Sequence, residues 1–348
     1  MIDWQTFGLA DRDRQQRVDR DTIFHWGSIT KTLTAVAILQ LRDQKKLSLD
    51  DPIVRYVPEL VRIHTDYGPI SQITLRHLLS HTSGFQGPTW PYRDDSKPWQ
   101  PFEPTEWAQL VAMMPYQEMA FKPGSRYSYS NPAFIYLARV IESVSGESFD
   151  AYTKTHIWAP LKISHSYFNI SPAALAPSRS NNYTVSVGAD GKDVVKANGR
   201  EFDTGITTPN GGWNAPLGDL AAWVTFLVGA APPETRGVLS VKSLEEMWQP
   251  VVTIDGAQRP AAMGLSFFLE SRQMGGENIT FVGHTGSQAG FRSFFAFNRQ
   301  NGRAVIACFN TSRAYGATEK DANATRAEAS DKGFRALRES MFEVLAAR

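Results

Sequence analysis

The stretch Thr22-Ile-Phe-His-Trp-Gly-Ser-Ile-Thr-Lys-Thr-Leu-Thr-Ala-Val-Ala-Ile-Leu-Gln-Leu41 constrains this chain more than any other. It holds two side chains able to carry charge, Lys31 and His25. Leu33, Val36, Ala37, Leu39 and Leu41, with only small or polar interruptions, spell a buried helix running to about Lys46. Such a helix needs a core wrapped around it. A lysine inside it needs a reason, because lysine is almost never fully buried unless it is paired.

Either side of that helix the pattern differs. Residues 4–9 read as a short strand and 11–21 as a polar connection, and Asp50-Asp-Pro52 opens a new segment. From 51 to 235 the chain is rich in turns and helical patterns, at Leu75 to Leu79, Glu103 to Met113, Asn131 to Val144, Phe149 to Ile157 and Leu217 to Val228. Residues 86–102 read as an irregular loop, and 165–212 as loops and hairpins. Beyond 236 a helix at Leu239 to Trp248 is followed by strand-like runs at 262–269, 278–283, 291–297 and 303–309. Arg299-Gln-Asn-Gly302 is a hairpin signal between the last two. Residues 312–330 read as loop and Ala336 to Ala346 as a closing helix. Strands at both ends and helices between them predict an α+β fold. One sheet would be built from both ends (1–50 and 236–348), a mainly helical lobe from 51–235, and the site would lie at their boundary.

The bulk properties narrow the function. With 36 basic and 35 acidic residues, net charge +1, there is no basic footprint for nucleic acid. No run approaches the ~18 apolar residues of a membrane span. Cys308 is the sole cysteine, so no internal disulfide forms, and its apolar setting predicts a buried structural thiol. Met1-Ile-Asp-Trp-Gln-Thr6 shows no signal peptide. As written the chain reads as cytoplasmic, and as an exported protein if its start has been lost.

Three short elements carry chemistry. Ser28-Ile-Thr-Lys31 puts a hydroxyl and an amine three apart on one helix face, with free backbone N–H groups at the helix start. A serine needs such a neighbouring base to become a nucleophile. Tyr129-Ser-Asn131 offers a phenol that a nearby cation could turn into a base, and an amide able to bond both a lysine and a substrate. Gly283-His-Thr-Gly-Ser287 offers glycines that let a ligand lie against a strand edge. Each alone also reads as a cap, a core tyrosine or a tight bend. His77 and His81, four apart, lack a carboxylate or cysteine companion at ligand spacing and read as hydrogen-bonding histidines. No Gly-x-Ser-x-Gly is present to support an α/β-hydrolase.

In this order the three elements resemble the signature set of the serine β-lactamase and penicillin-binding-protein superfamily, in its class C β-lactamase, DD-peptidase and family VIII carboxylesterase branch. Leu49-Asp-Asp-Pro52, Leu75-Arg-His-Leu-Leu-Ser-His-Thr-Ser-Gly-Phe85 and Pro123-Gly-Ser-Arg-Tyr-Ser-Tyr-Ser-Asn131 are phrases typical of it, so the likeness spans most of the chain. The resemblance implies an antiparallel sheet flanked by helices, an all-helical lobe and a site between them. Ser28 would form an acyl-enzyme, with Lys31 and Tyr129 shuttling its proton and Asn131 orienting Lys31 and substrate. The backbone N–H groups of Ser28 and Ser287 would form the oxyanion hole, and His284, Thr285 and Gly286 would line the substrate edge. Trp213 and the loop 86–102 would line an acyl pocket or serve as packing. No metal or organic cofactor is implied.

Two departures qualify the likeness. His284 stands where lysine is usual, and a histidine is mostly neutral at pH 7. There is also no room before residue 4 for the helix and strand with which relatives begin. The implied function is a serine hydrolase acting on small esters, or on amides and peptides containing D-amino acids. The alternatives are a β-lactamase, or a non-catalytic binding or self-assembling member whose exposed sheet edge invites a partner. Oligomers are compatible with all three.

Overall fold

Helix α1 (Thr30–Asp43) lies at the centre of the molecule, as its apolar sequence demands: every residue from Thr30 to Leu41 is buried. The computed structural model describes residues 3–85, 104–188, 190, 192–232, 237–257, 259–313 and 324–347. The polar side chains of α1 are spliced onto the backbone of surrounding segments. Thr34 Oγ1 donates to the Pro209 carbonyl at 2.7 Å, and Gln40 Nε2 donates to Val238 and His156 carbonyls at 2.7 and 3.0 Å. These bonds satisfy the Thr34 hydroxyl and the Gln40 amide NH2 group, as burial requires, while Gln40 Oε1 stays buried without a partner.

The helices after α1 are α2 (Leu75–Leu79), which packs on α4, α3 (Trp107–Met113), then α4 (Pro132–Ser145) and α5 (Phe149–Thr153), which both pack on α1. The helices α6 (Thr208–Gly211), α7 (Leu217–Leu227), α8 (Val241–Met247) and α9 (Ala324–Ala346) follow. Pro132 opens α4, and Gly146, with φ +78°, closes it in the left-handed conformation that glycine adopts without strain. His77 caps the N-terminus of α2 through Nδ1, which accepts the Thr74 N–H at 3.2 Å. None of the helices among the described residues is long and apolar enough to cross a membrane.

The strands are β1 (Leu9–Asp11), β2 (Gln16–Arg17), β3 (Ile23–His25), β4 (Tyr167–Phe168), β5 (Asn182–Val187), β6 (Asp193–Gly199) and β7 (Trp213–Pro216). After them come β8 (Val252–Thr253), β9 (Ala261–Met263), β10 (Phe268–Met274), β11 (Glu277–Gln288), β12 (Phe291–Asn298), β13 (Ala304–Phe309) and β14 (Thr311–Arg313). The fold is α+β. A six-stranded antiparallel sheet has the order β13-β12-β11-β10-β9-β8.

The expected single sheet from both chain ends is not what forms. Among the described residues all six strands of the large sheet fall within 252–309. The N-terminal strand starts at Leu9 rather than residue 4 and pairs only with β2, while β3 pairs with β7, which pairs with β4. These N-terminal strands are two or three residues long. β3 is buried throughout and runs almost directly into α1, which ties its direction to the helix rather than to the sheet. A further sheet, β14-β5-β6, joins the C-terminal part to the 165–212 region through parallel pairing of β14 with β5.

Two more boundaries differ. The run 262–269 breaks at Gly264, where a Cβ would stand 2.2 Å from the Met247 carbonyl, and at Ser266, whose φ is +69°. The Ser266 N–H is held by the Leu79 carbonyl at 2.8 Å, which pins this bend to the end of α2. The C-terminal helix begins at Ala324, inside the span read as loop, and its Phe342 packs on Phe281 of β11.

Candidate active site

The nucleophile candidate sits where a 3-10 turn, Gly27–Ile29, runs into α1. Gly27 has φ +54°, and a Cβ there would lie 3.0 Å from the Ser287 amide nitrogen. Gly286 has no room for a side chain either, since a Cβ would stand 2.0 Å from the Trp26 carbonyl oxygen and 2.4 Å from Ser293 Oγ. These two glycines let β11 press directly on the segment that carries Ser28. The clearance at Gly286, expected for a ligand, is thus occupied by the chain's own backbone. Beyond the last pair with β10, Phe268↔Gly283, β11 continues through Gln288 without a β10 partner. Along this free length Thr285 and Ser287 are exposed, and His284 and Gly286 are buried.

Lys31 lies one turn into the helix, with no exposed surface. Its Nζ is 3.1 Å from Ser28 Oγ and donates to the Asn210 carbonyl at 2.7 Å. The ring of Tyr129 is 4.9 Å away and that of Phe134 5.5 Å. Burial pushes the Lys31 amine well below its ordinary pKa. Tyr129 hydrogen-bonds Ser28, and burial raises its phenol above the ordinary value. That direction corrects the expectation of a tyrosine whose pKa is lowered by a cation. Amine and phenol share one desolvated environment, and burial disfavours the charged form of each.

His284 is buried, its ring centroid 6.5 Å from that of Tyr129 and 5.1 Å from that of Phe268. Loss of solvation, with a smaller contribution from Lys31, lowers its pKa to about 3. Nδ1 lies 2.6 Å from the Thr285 carbonyl oxygen. A carbonyl can only accept, so Nδ1 carries the proton and Nε2 is left as a bare acceptor. That Nε2 is buried without a partner. Asn131 Oδ1 and Asn210 Oδ1 are likewise buried and unpartnered.

The structure brings together Ser28, Lys31, Tyr129 and His284, with Ser287 against Gly27. Asn131 stands at the start of α4, but its side chain makes no cap bond. Lys31 is instead held by the Asn210 main chain. Trp213 is no pocket residue. It is fully buried, stacked on Trp158 at 6.1 Å and edge-on to Trp223 at 6.0 Å, with its indole N–H donated to Ser166 at 2.9 Å. A large apolar ring following Gly211-Gly212 finds its place in the core beside α7. The loop 86–102 lies outside the described residues. Sequence reasoning missed Asn210, which acts through a carbonyl that every residue possesses and so leaves no signal. It also passed over His81, whose ring stacks on Tyr129 at 4.4 Å.

A family model described as Beta-lactamase matches residues 4–330. The chain belongs to the beta-lactamase family. Within it, this chain is similar to the Beta-lactamase of Escherichia coli (strain K12), 28% identical over 220 residues, 63% of this chain and 51% of that one. Among solved structures it is similar to a D-stereospecific amidohydrolase from Streptomyces sp., with 26% identity and a TM-score of 0.65 over 83% of this chain and 82% of that one. It also superposes on the octameric penicillin-binding protein homologue from Pyrococcus abyssi, with TM-score 0.71 and 24% identity over 88% and 66% of the two chains. The chain spans between 37% and 57% of the length of the curated relatives compared with it.

Proposed function

We propose that this protein is a serine hydrolase that passes through an acyl-enzyme on Ser28, acting on small esters or on amides and peptides of D-amino acids. The observation that carries the reading is Lys31: a fully buried amine 3.1 Å from the Ser28 hydroxyl, with its pKa driven down by burial. A neutral amine at that distance is a base able to take the serine proton. In the proposed reaction Ser28 Oγ bonds to the carbonyl carbon as its proton moves to Lys31 Nζ. The N–H groups of Ser28 and Ser287 receive the oxyanion. As the C–O or C–N bond breaks, the Tyr129 phenol delivers a proton to the leaving group and is reprotonated from Lys31. Water then enters by the reverse relay and frees Ser28. Asn131, with an unpartnered amide oxygen, and Thr285, on the open edge of β11, would bind the substrate.

His284 bears on the substrate. A neutral ring whose free nitrogen is an acceptor suits a substrate N–H or hydroxyl, and gives no fixed cation for the carboxylate of a β-lactam. The likeness to a D-stereospecific amidohydrolase supports the amide arm, and the likeness to the Escherichia coli Beta-lactamase keeps β-lactams as the alternative substrate.

The test is hydrolysis of p-nitrophenyl butyrate, D-alanine p-nitroanilide and nitrocefin by wild type and Ser28→Ala, with intact mass of ester-treated protein. Turnover of the first two, lost by about 10³-fold or more in Ser28→Ala, together with an acyl adduct only on wild type, is expected. Undiminished turnover in Ser28→Ala would sink the reading, and nitrocefin as the best substrate would replace it with the β-lactamase one.

A further inference from the structure

We propose that His81 is the positioning residue for Tyr129, an assignment that rests on the reading of Tyr129 as the proton relay of this site. The geometry is a bracket around one residue. The N–H of Ser128 donates to the His81 carbonyl at 2.9 Å, and the N–H of Ser130 donates to His81 Nδ1 at 3.0 Å. The tyrosine between these two anchors lies flat on the imidazole, with centroids 4.4 Å apart and an interplanar angle of 27°. One histidine thus holds the residue before Tyr129, the residue after it, and the Tyr129 ring.

The local chain is built to present this side chain. Helix α2 ends at Leu79, and His81 takes φ +57°, a conformation unfavourable for a side chain of this size. The next residue continues the zipper, because the Thr82 carbonyl accepts the Gly124 N–H at 2.8 Å. The ring has no exposed surface and is also packed by Phe134 at 5.1 Å and Tyr127 at 6.0 Å. Acceptance of a backbone N–H at Nδ1 places the ring proton on Nε2. No other side chain supplies both a flat ring and a local acceptor at this spot. Phenylalanine gives the ring alone, and asparagine gives the acceptor alone while tolerating the left-handed backbone. Tyr129 must aim its hydroxyl at Ser28, and a phenol swings about its backbone unless something fixes it. His81 supplies that constraint without touching Ser28 chemistry itself.

A double-mutant cycle on p-nitrophenyl butyrate hydrolysis tests the bracket. His81→Phe and His81→Asn are combined with Tyr129→Phe, and melting temperature is recorded for each. The expected result is a fall in kcat of about 10- to 100-fold for His81→Phe with KM within about twofold, and a smaller fall for His81→Asn. In the Tyr129→Phe background the same His81 changes cost less than about twofold, because the group they position is gone. Where His81→Phe fails to fold, His81→Asn carries the cycle alone. Equal losses in both backgrounds, or a change confined to KM, overturn the proposal while leaving the relay intact. A Tyr129→Phe variant as active as wild type overturns the relay reading and the proposal with it.

Discussion

At the scale of single residues, the site depends on which groups are neutral. A charged lysine three residues from a serine is only an electrostatic neighbour, whereas an uncharged one is a base. Burial decides between them, since Lys31 has no exposed surface, lies against the Tyr129 and Phe134 rings and has the Asn210 carbonyl as its firmest partner. A carbonyl orients the amine without stabilising its charge as a carboxylate would. In the proposed reaction, protonation of Lys31 sets the acid limb of kcat/KM, which is expected to fall as pH drops through the lowered lysine pKa. His284, at about 3, titrates too low to set it. We expect His284→Asn to change substrate preference while leaving the midpoint of the acid limb within about half a pH unit, and Lys31→Arg, which cannot deprotonate, to be inactive across the profile. Profiles of the two variants decide this: loss of the acid limb in His284→Asn would transfer the role of base to the histidine.

At the scale of elements, β11 is the part that makes a site out of a helix start. Its pairing with β10 ends at Gly283, its pairing with β12 continues to Gln288, and Gly286 meets the Trp26 carbonyl in between. The close approach sets the Ser287 N–H against the nucleophile turn. Gly286→Ala forces these elements apart. It should cost about 1–3 kcal/mol of stability by overpacking and lower kcat about 10²-fold or more through the displaced oxyanion donor. Gly333→Ala, in the exposed interior of α9, is the control: it should add up to about 1 kcal/mol and leave kcat unchanged. Urea midpoints and kcat for the pair check both statements, and a fully active Gly286→Ala would show that the approach does not position the donor.

At the scale of the whole molecule, the same burial that prepares the site makes the fold sensitive to acid. His25 is held by Asn214 and Gln288 and lowered to about 4 by loss of solvation and by Arg179. His284 is at about 3, and His81 lies well below its ordinary value for the same reason. When the chain unfolds, each returns to a value near 6.5. The unfolded state therefore binds more protons than the folded one below that pH. The histidine contribution is flat above about pH 7 and falls as pH drops from about 6.5 toward 4, by up to about 1.4 kcal/mol per pH unit for each histidine. Lys31, lowered in the folded chain and near 10.5 in the unfolded one, makes stability keep rising with pH between its lowered folded value and 10.5. Glu339, lowered to about 2 chiefly by its bonds to Arg272, contributes stability that is lost only at pH below its unfolded value of 4.5, outside the first part of this window. Urea midpoints at pH 7.5, 6 and 5 measure the effect. A midpoint unchanged from 7.5 to 5 would contradict the neutral histidines.

The sequence by itself determined the things that are local. Ser28 and Lys31 share a helix face because of a three-residue spacing. The central helix is legible because a long uncharged run has nowhere to go but inward, and α4, β12 and β13 follow their apolar periods closely. The family likeness came from short phrases of this kind. What only the tertiary structure decided is whatever depends on segments far apart in the chain. Alternation marks a residue run as a strand but not its partner, so β3 pairs with β7 and stays out of the large sheet. Apolar bulk does not say which cavity a ring fills, and Trp213 went to the core. The partner of Lys31 is a carbonyl 179 residues away, and the partner of Tyr129 is a histidine on another segment. The proton states of Lys31, Tyr129 and His284 follow from desolvation, which depends on every layer packed around them rather than on any motif.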